Sequence, residues 1–189
     1  GRYFEKNPKG YNSAVSRIVF YDIKQEGDNL NFYYNATESL PLTAFGNNLF
    51  KDLEEDVPMQ FTTGQTDAAT MFKVWLPDGE VKTYQKLEST VKVNKEYLQQ
   101  FTGRFYSPHL DYFFRIILND NGQLVIKRPT VGDKIMEPYE ENRFFFEGET
   151  GGYSFYTTIT FTKNKKNQID GYTLQGSRLM QHQFVKVNK

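Results

Sequence analysis

The chain repeats itself, and that constrains its architecture more than any other feature. Displaced by 94 positions, Ser13 falls on Ser107, Leu30 on Leu124, Leu42 on Met136 and Phe50 on Phe144 without a gap. Further on the offset becomes 100, where Phe61 meets Phe161, Phe72 meets Tyr172, Tyr84 meets Phe184 and Lys86 meets Lys186. One six-residue insertion near Gly151–Tyr156 accounts for the change. The 189 residues therefore divide into two domains, 1–88 and 89–189, joined by a short linker at Leu87–Val93. At the start of the first repeat, Phe4 and Gly10-Tyr11 stand opposite Leu98 and Gly103–Tyr106, which predicts an abbreviated first strand.

The second repeat shows what each domain is built from. Tyr112, Phe114, Ile116 and Leu118 alternate with Phe113, Arg115 and Ile117, the period of a half-buried strand. Asp120-Asn121-Gly122 supplies a hairpin turn, and Leu124 and Ile126 run back. Further strands are predicted at 134–138, 143–147, 153–163, 168–175 and 178–187, and with 103–107 they make eight. Their connections are short and polar, so neighbours pair antiparallel; a parallel sheet would need crossover helices. Eight strands is also the number at which a sheet closes around a lumen that side chains fill or one small ligand occupies. One segment reads as a helix, Val93–Phe101: Asn94 caps it, Tyr97, Leu98 and Phe101 share a face, and Gly103 ends it. The expected fold is all-β, two tandem antiparallel eight-stranded barrels with a short helix opening the second. Seventeen Phe and 13 Tyr suit such pleated surfaces.

Leu98-x-x-Phe101-x-Gly103-x-x-Tyr106-Ser107, the turn Asn121-Gly122-x-Leu124, the step Met136–Pro138, then Phe144 and Phe184-x-Lys186 resemble a lipocalin-like domain. That domain occurs C-terminal to beta-lactamase-type serine hydrolases, the penicillin-binding-protein and esterase relatives. The resemblance spans the second repeat and, more loosely, the first. It implies an accessory barrel with no chemistry of its own, a partner in the form of a serine hydrolase catalytic domain in cis or in trans, and a secreted, periplasmic or cell-envelope setting. The alternative is a free-standing lipocalin-like protein that binds a small hydrophobic ligand.

Catalytic, metal and nucleic-acid chemistry find little to use. Ser89-Thr90-Val91-Lys92 matches the Ser-x-x-Lys of those hydrolases, but it lies in the polar linker, Tyr33-Tyr34-Asn35 lies in a predicted strand, and Lys-Thr-Gly is missing. His109 follows Pro108 in a loop while His182 sits in the last strand, so a triad would depend on tertiary placement. The run Asp52-Leu53-Glu54-Glu55-Asp56 lacks the alternation and glycine of a calcium loop, and the absence of Cys excludes thiolate metal sites. No metal and no cofactor is expected. Lys163–Lys166 is a basic hairpin tip, but 23 basic residues balance 23 acidic ones and no aromatic strand motif adjoins it, which argues against nucleic acid. No apolar run is long enough for a membrane-spanning helix.

What remains is apolar. Phe114, Ile116, Leu124, Ile126, Phe144, Phe146, Phe161, Tyr172, Leu174 and Phe184 fall where alternation turns them inward. They line a ligand lumen or fill it as a core, and the number of large rings favours filling. Trp75, with Tyr84 close by in sequence, is the candidate interface anchor, between barrels or toward a missing partner.

Overall fold

In the computed structural model the described residues are 2–5, 20–33, 38–52, 56–63, 69–87, 93–128, 132–150, 153–176 and 181–187. The chain divides into two compact units, Gly1–Leu87 with Gly151–Ser154, and Glu88–Thr150 with Phe155–Lys189. The fold is nearly all β, as the alternation and turn spacing predict.

The first unit contains β1 (Arg2–Glu5), β2 (Phe20–Glu26), β3 (Asn29–Tyr33), β4 (Ser39–Gly46), β5 (Leu49–Asp52), β6 (Pro58–Thr63), β7 (Ala69–Trp75) and β8 (Val81–Lys86). Each strand pairs antiparallel with the next, and β1 also pairs with β8, so the sheet closes into a barrel. The first repeat is therefore not abbreviated as a barrel; four residues suffice for β1 because it is held on both edges.

The second unit opens with α1 (Lys95–Gln99). Its strands are β9 (Gly103–Ser107), β10 (Tyr112–Leu118), β11 (Leu124–Lys127), β12 (Lys134–Ile135), β13 (Glu137–Glu140), β14 (Arg143–Thr150), β15 (Tyr153–Lys163), β16 (Ile169–Gln175) and β17 (His182–Val187). The sheet runs β12-β11-β10-β9-β17-β16-β15-β14-β13, nine segments where eight strands are expected. The extra one arises because a single strand is split at Met136. Lys134-Ile135 pairs with β11, Glu137–Glu140 pairs with β14, and Met136 N–H still donates to Leu124 O at 2.8 Å. The two ends of the sheet are consecutive in the chain, which leaves the second barrel nearly closed.

Local irregularities recur at the same repeat positions. Asn48 and Asn142 both adopt φ 59°, a left-handed geometry that asparagine tolerates better than most residues. The carbonyl of each accepts a 2.9 Å hydrogen bond, from Phe61 N–H and Phe161 N–H respectively. Register shifts fall between Ala44 and Gly46 and between Pro138 and Glu140, then between Thr62 and Thr63 and between Thr162 and Lys163. β14 and β15 have eight and eleven residues against four and six in β5 and β6, so the insertion lengthens this hairpin.

The strand ladders correct one alignment. Tyr3 stands opposite Lys86 as Phe105 stands opposite Lys186, so Gly1-Arg2-Tyr3-Phe4 is the counterpart of Gly103-Arg104-Phe105-Tyr106, an offset of 102. Phe4 does not correspond to Leu98, Ser107 matches Glu5 and not Ser13, and Gly10-Tyr11 and Ser13 lie outside the described residues. Residues 6–19 separate β1 from β2 in the first repeat and only 108–111 separate β9 from β10 in the second, which is why one ungapped offset cannot carry through.

Candidate functional site

Alternation decides what each barrel holds. In the second, Phe105, Ile116, Leu124, Ile126, Phe144, Phe146, Phe161, Tyr172, Leu174 and Phe184 are buried in one cluster with Leu98, Phe101, Met136, Ile159 and Ile169, and the half-buried Phe114 packs against it. All the predicted lumen residues meet here. Phe161 is central, its ring centroid 4.7 Å from Phe101, 5.5 Å from Tyr172 and 5.7 Å from Phe144. Ile159, two residues before Phe161 on the same face, and Met136, already paired with Leu42 by the repeat, are core residues that the same pattern contains.

The first barrel holds the same chain of rings. Phe72 stacks on Tyr84 with centroids 4.7 Å apart at 15°, and Tyr172 stacks on Phe184 at 4.7 Å and 18°. Tyr3 lies 5.0 Å from Phe72 as Phe105 lies 4.9 Å from Tyr172, and Phe61 lies 5.4 Å from Phe72. Both lumens are thus filled with interlocking aromatic side chains, the packing of a core. Tyr84, offered by the sequence as an interface residue, is only 3% exposed and belongs to this core, while Trp75 is half-buried at the end of β7.

One exception to apolar filling in the second lumen is the Tyr172 hydroxyl, which is buried with no hydrogen-bond partner. An unmet buried hydroxyl costs roughly 1–3 kcal/mol, and Phe72 occupies the equivalent place in the first barrel. Tyr172→Phe should therefore raise the urea unfolding free energy of the second barrel by about 1 kcal/mol. A loss of stability would mean that the hydroxyl has a partner in solution.

Burial also sets the pH response. It pushes the Tyr172 hydroxyl far above its ordinary value, and Tyr84 likewise, with further upward contributions from Tyr21 and Glu5. In the unfolded chain both ionise near pH 10 while the folded chain keeps them neutral. Their contribution is full below about pH 10, and above it stability should fall by about 1.4 kcal/mol per pH unit for each. Urea midpoints between pH 8 and 11 measure the slope.

Polar groups gather where β1 and β9 end. The inward row of β8 is Lys82, Tyr84, Lys86, and that of β17 is His182, Phe184, Lys186. Beside Lys82 the buried carboxylate of Glu5 lies 3.8 Å from its ammonium, and desolvation pushes the Glu5 carboxyl up despite that cation. In the second barrel the counterpart of Glu5 is Ser107, whose fully buried hydroxyl has no partner. Here the structure joins what the sequence left apart, since the His109 and His182 rings stack with centroids 5.3 Å apart at 25°. Asp111, the nearest acidic residue in the chain to His109, accepts from Tyr106 Oη at 2.9 Å. The pair can hydrogen-bond a small polar group at the barrel mouth.

On the outer wall of the second barrel, Thr162, Asp170, Gly171, Thr173, Gln183 and Val185 border a dip of about 210 Å³. Thr162 Oγ1 donates to Asp170 at 2.7 Å across it. The acidic run is divided: Asp52 is buried, Asp56 pairs with Lys51, and 53–55 lie outside the described residues. Ser89, Lys92, Tyr34 and Asn35 also lie outside them. The basic tip is a tight turn organised by Asn164 Oδ1, which accepts from Lys166 N–H and Gln168 N–H. Among the described residues no helix is long and apolar enough to cross a membrane.

No protein-family model matches this chain, and no curated protein matches it.

Proposed function

We propose that the tandem barrels form a non-catalytic accessory region of a beta-lactamase-type serine hydrolase, working through their outer surfaces on a catalytic domain in cis or in trans. The observation that carries this reading is the aromatic filling of both lumens, which moves function from the interior to the surface. The residue pattern from Leu98 to Lys186 adds the link to that hydrolase family, and a secreted or cell-envelope setting goes with it. The coding sequence ahead of Gly1 and its neighbouring reading frames test the proposal. A module with Ser-x-x-Lys, Tyr-x-Asn and Lys-Thr-Gly is expected there, and its absence from both places overturns the reading. The barrels themselves should hydrolyse no ester; turnover abolished by Ser89→Ala would also overturn it.

The buried, unpartnered hydroxyls of Ser107 and Tyr172 favour a second reading, a carrier of a small, mostly apolar ligand that offers a polar atom to one of them. Native mass spectrometry and dye displacement distinguish the two, because a carrier retains bound mass and an accessory barrel does not.

A further inference from the structure

The two barrels treat one arginine differently. In the first, Arg2 on β1 stands directly opposite Asp22 on β2, and its Nε and Nη2 donate to the two carboxylate oxygens at 2.8 and 3.0 Å. One carboxylate satisfies one guanidinium in this forked geometry. In the second barrel Arg104 takes the place of Arg2, but the residue opposite it on β10 is Arg115. Both point outward, because they alternate with the inward Phe105, Phe114 and Ile116, and both are exposed.

Like charges directly opposite one another on a sheet face destabilise it, and the surroundings of this pair bring no relief. The next residue in the same row is Lys127, itself paired with Asp133. The outward positions two residues before and after Arg115 are Phe113 and Ile117, and Asp111 accepts from Tyr106 Oη. Among the described residues neither arginine has a carboxylate partner. Arg104 is held in place all the same. Its guanidinium carbon lies 4.0 Å from the centre of the Phe113 ring, which packs on Tyr106 with centroids 4.6 Å apart. Phe113 is 41% exposed, and Val185, opposite Tyr106 on β17, is 47% exposed. Two guanidinium groups without a counter-charge thus border an open apolar shelf.

We propose that the Arg104–Arg115 pair is a binding site for a phosphate monoester, with the phosphoryl group between the two guanidinium groups and the organic part on Phe113 and Val185. A carboxylate matches a single fork, as Asp22 shows. Two forks with two unmet positive charges match a dianion that offers three terminal oxygens. The site lies on the outer wall and asks nothing of the lumen or of a catalytic domain, so it goes beyond the accessory reading and can fail or stand without it.

The probe is phenyl phosphate, titrated into the intact protein at low ionic strength in a phosphate-free buffer and followed by heteronuclear NMR of the backbone amides and arginine Nε–H groups. Saturable shifts at Arg104, Phe113 and Arg115 are expected, with a Kd of about 1 mM or tighter. Benzoate and inorganic phosphate should each bind there at least ~10-fold more weakly, benzoate for want of the second charge and inorganic phosphate for want of the ring. Arg115→Asp puts the first barrel's own carboxylate opposite Arg104 and should abolish binding. Arg115→Gln, which removes one fork and adds no charge, should weaken it by about 10-fold. Three results would overturn the proposal: no saturable shift at these residues at roughly 5 mM phenyl phosphate, binding of benzoate or inorganic phosphate as tight as that of phenyl phosphate, or undiminished binding by either variant.

Discussion

Phe72→Ala should destabilise the first barrel by about 3–5 kcal/mol, the usual cost of emptying a buried phenylalanine site. Its ring is 0% exposed and touches four others: Tyr3, Phe61 and Tyr84 at 5.0, 5.4 and 4.7 Å, and Phe32 at 6.3 Å. These neighbours come from β1, β3, β6 and β8, so no single strand can move inward to refill the space without disturbing the others. Domains of this size hold about 5–15 kcal/mol in all, so the variant should be close to unfolding at room temperature. Trp75 lies on the same strand as Phe72 and is the only tryptophan, so its emission in a urea titration reports on this unit. A loss below about 1 kcal/mol would show that the rings are not the interlocked core described above.

Gly171→Ala should be the most damaging small change in the second barrel. A Cβ there would lie 2.4 Å from Phe184 O and 3.2 Å from Thr162 Oγ1. The first of these is backbone and belongs to the ladder that pairs Gly171 with Val185, so relief requires β16 and β17 to part. Overpacking of this kind costs about 1–3 kcal/mol and sometimes more. The first barrel has Met71 at the equivalent place, paired with Gln85. There the reverse change, Met71→Gly, should cost only about 1 kcal/mol, mainly through backbone entropy. Far-UV circular dichroism across a urea titration measures both. An unchanged midpoint for Gly171→Ala would mean that these strands separate freely.

The parts of the molecule legible in the sequence are those fixed by short-range rules. Alternation from Tyr112 to Leu118 gave β10 and its inward face, and the Asn94 cap gave α1. The lumen set was legible because every second bulky residue in a narrow barrel has one place to go. Three features were not, each for a physical reason. The match of Gly1-Arg2-Tyr3-Phe4 to Gly103-Arg104-Phe105-Tyr106 is masked by a longer connection, which shifts the offset before Tyr21. The break at Met136 exchanges one hydrogen-bonded neighbour for another, and nothing in the side chains records which neighbour each half chooses. The approach of His109 to His182 depends on β9 pairing with β17 across most of a repeat, which local pattern cannot see.

That long-range pairing has a kinetic side. In the first barrel Tyr3 meets Lys86, and in the second Phe105 meets Lys186, so each ring of strands is completed by residues about a whole repeat apart. Loop-closure entropy makes such contacts late ones. On a ribosome, β1 must wait with one edge bare until residues 84–86 have left the exit tunnel, by which time the start of the second repeat is following close behind. Both repeats then offer unpaired first strands of related sequence, Gly-Arg-Tyr-Phe and Gly-Arg-Phe-Tyr, to either closing strand. Each last strand must therefore tell its own first strand from its neighbour's, a choice of the kind at which repeat proteins misassemble.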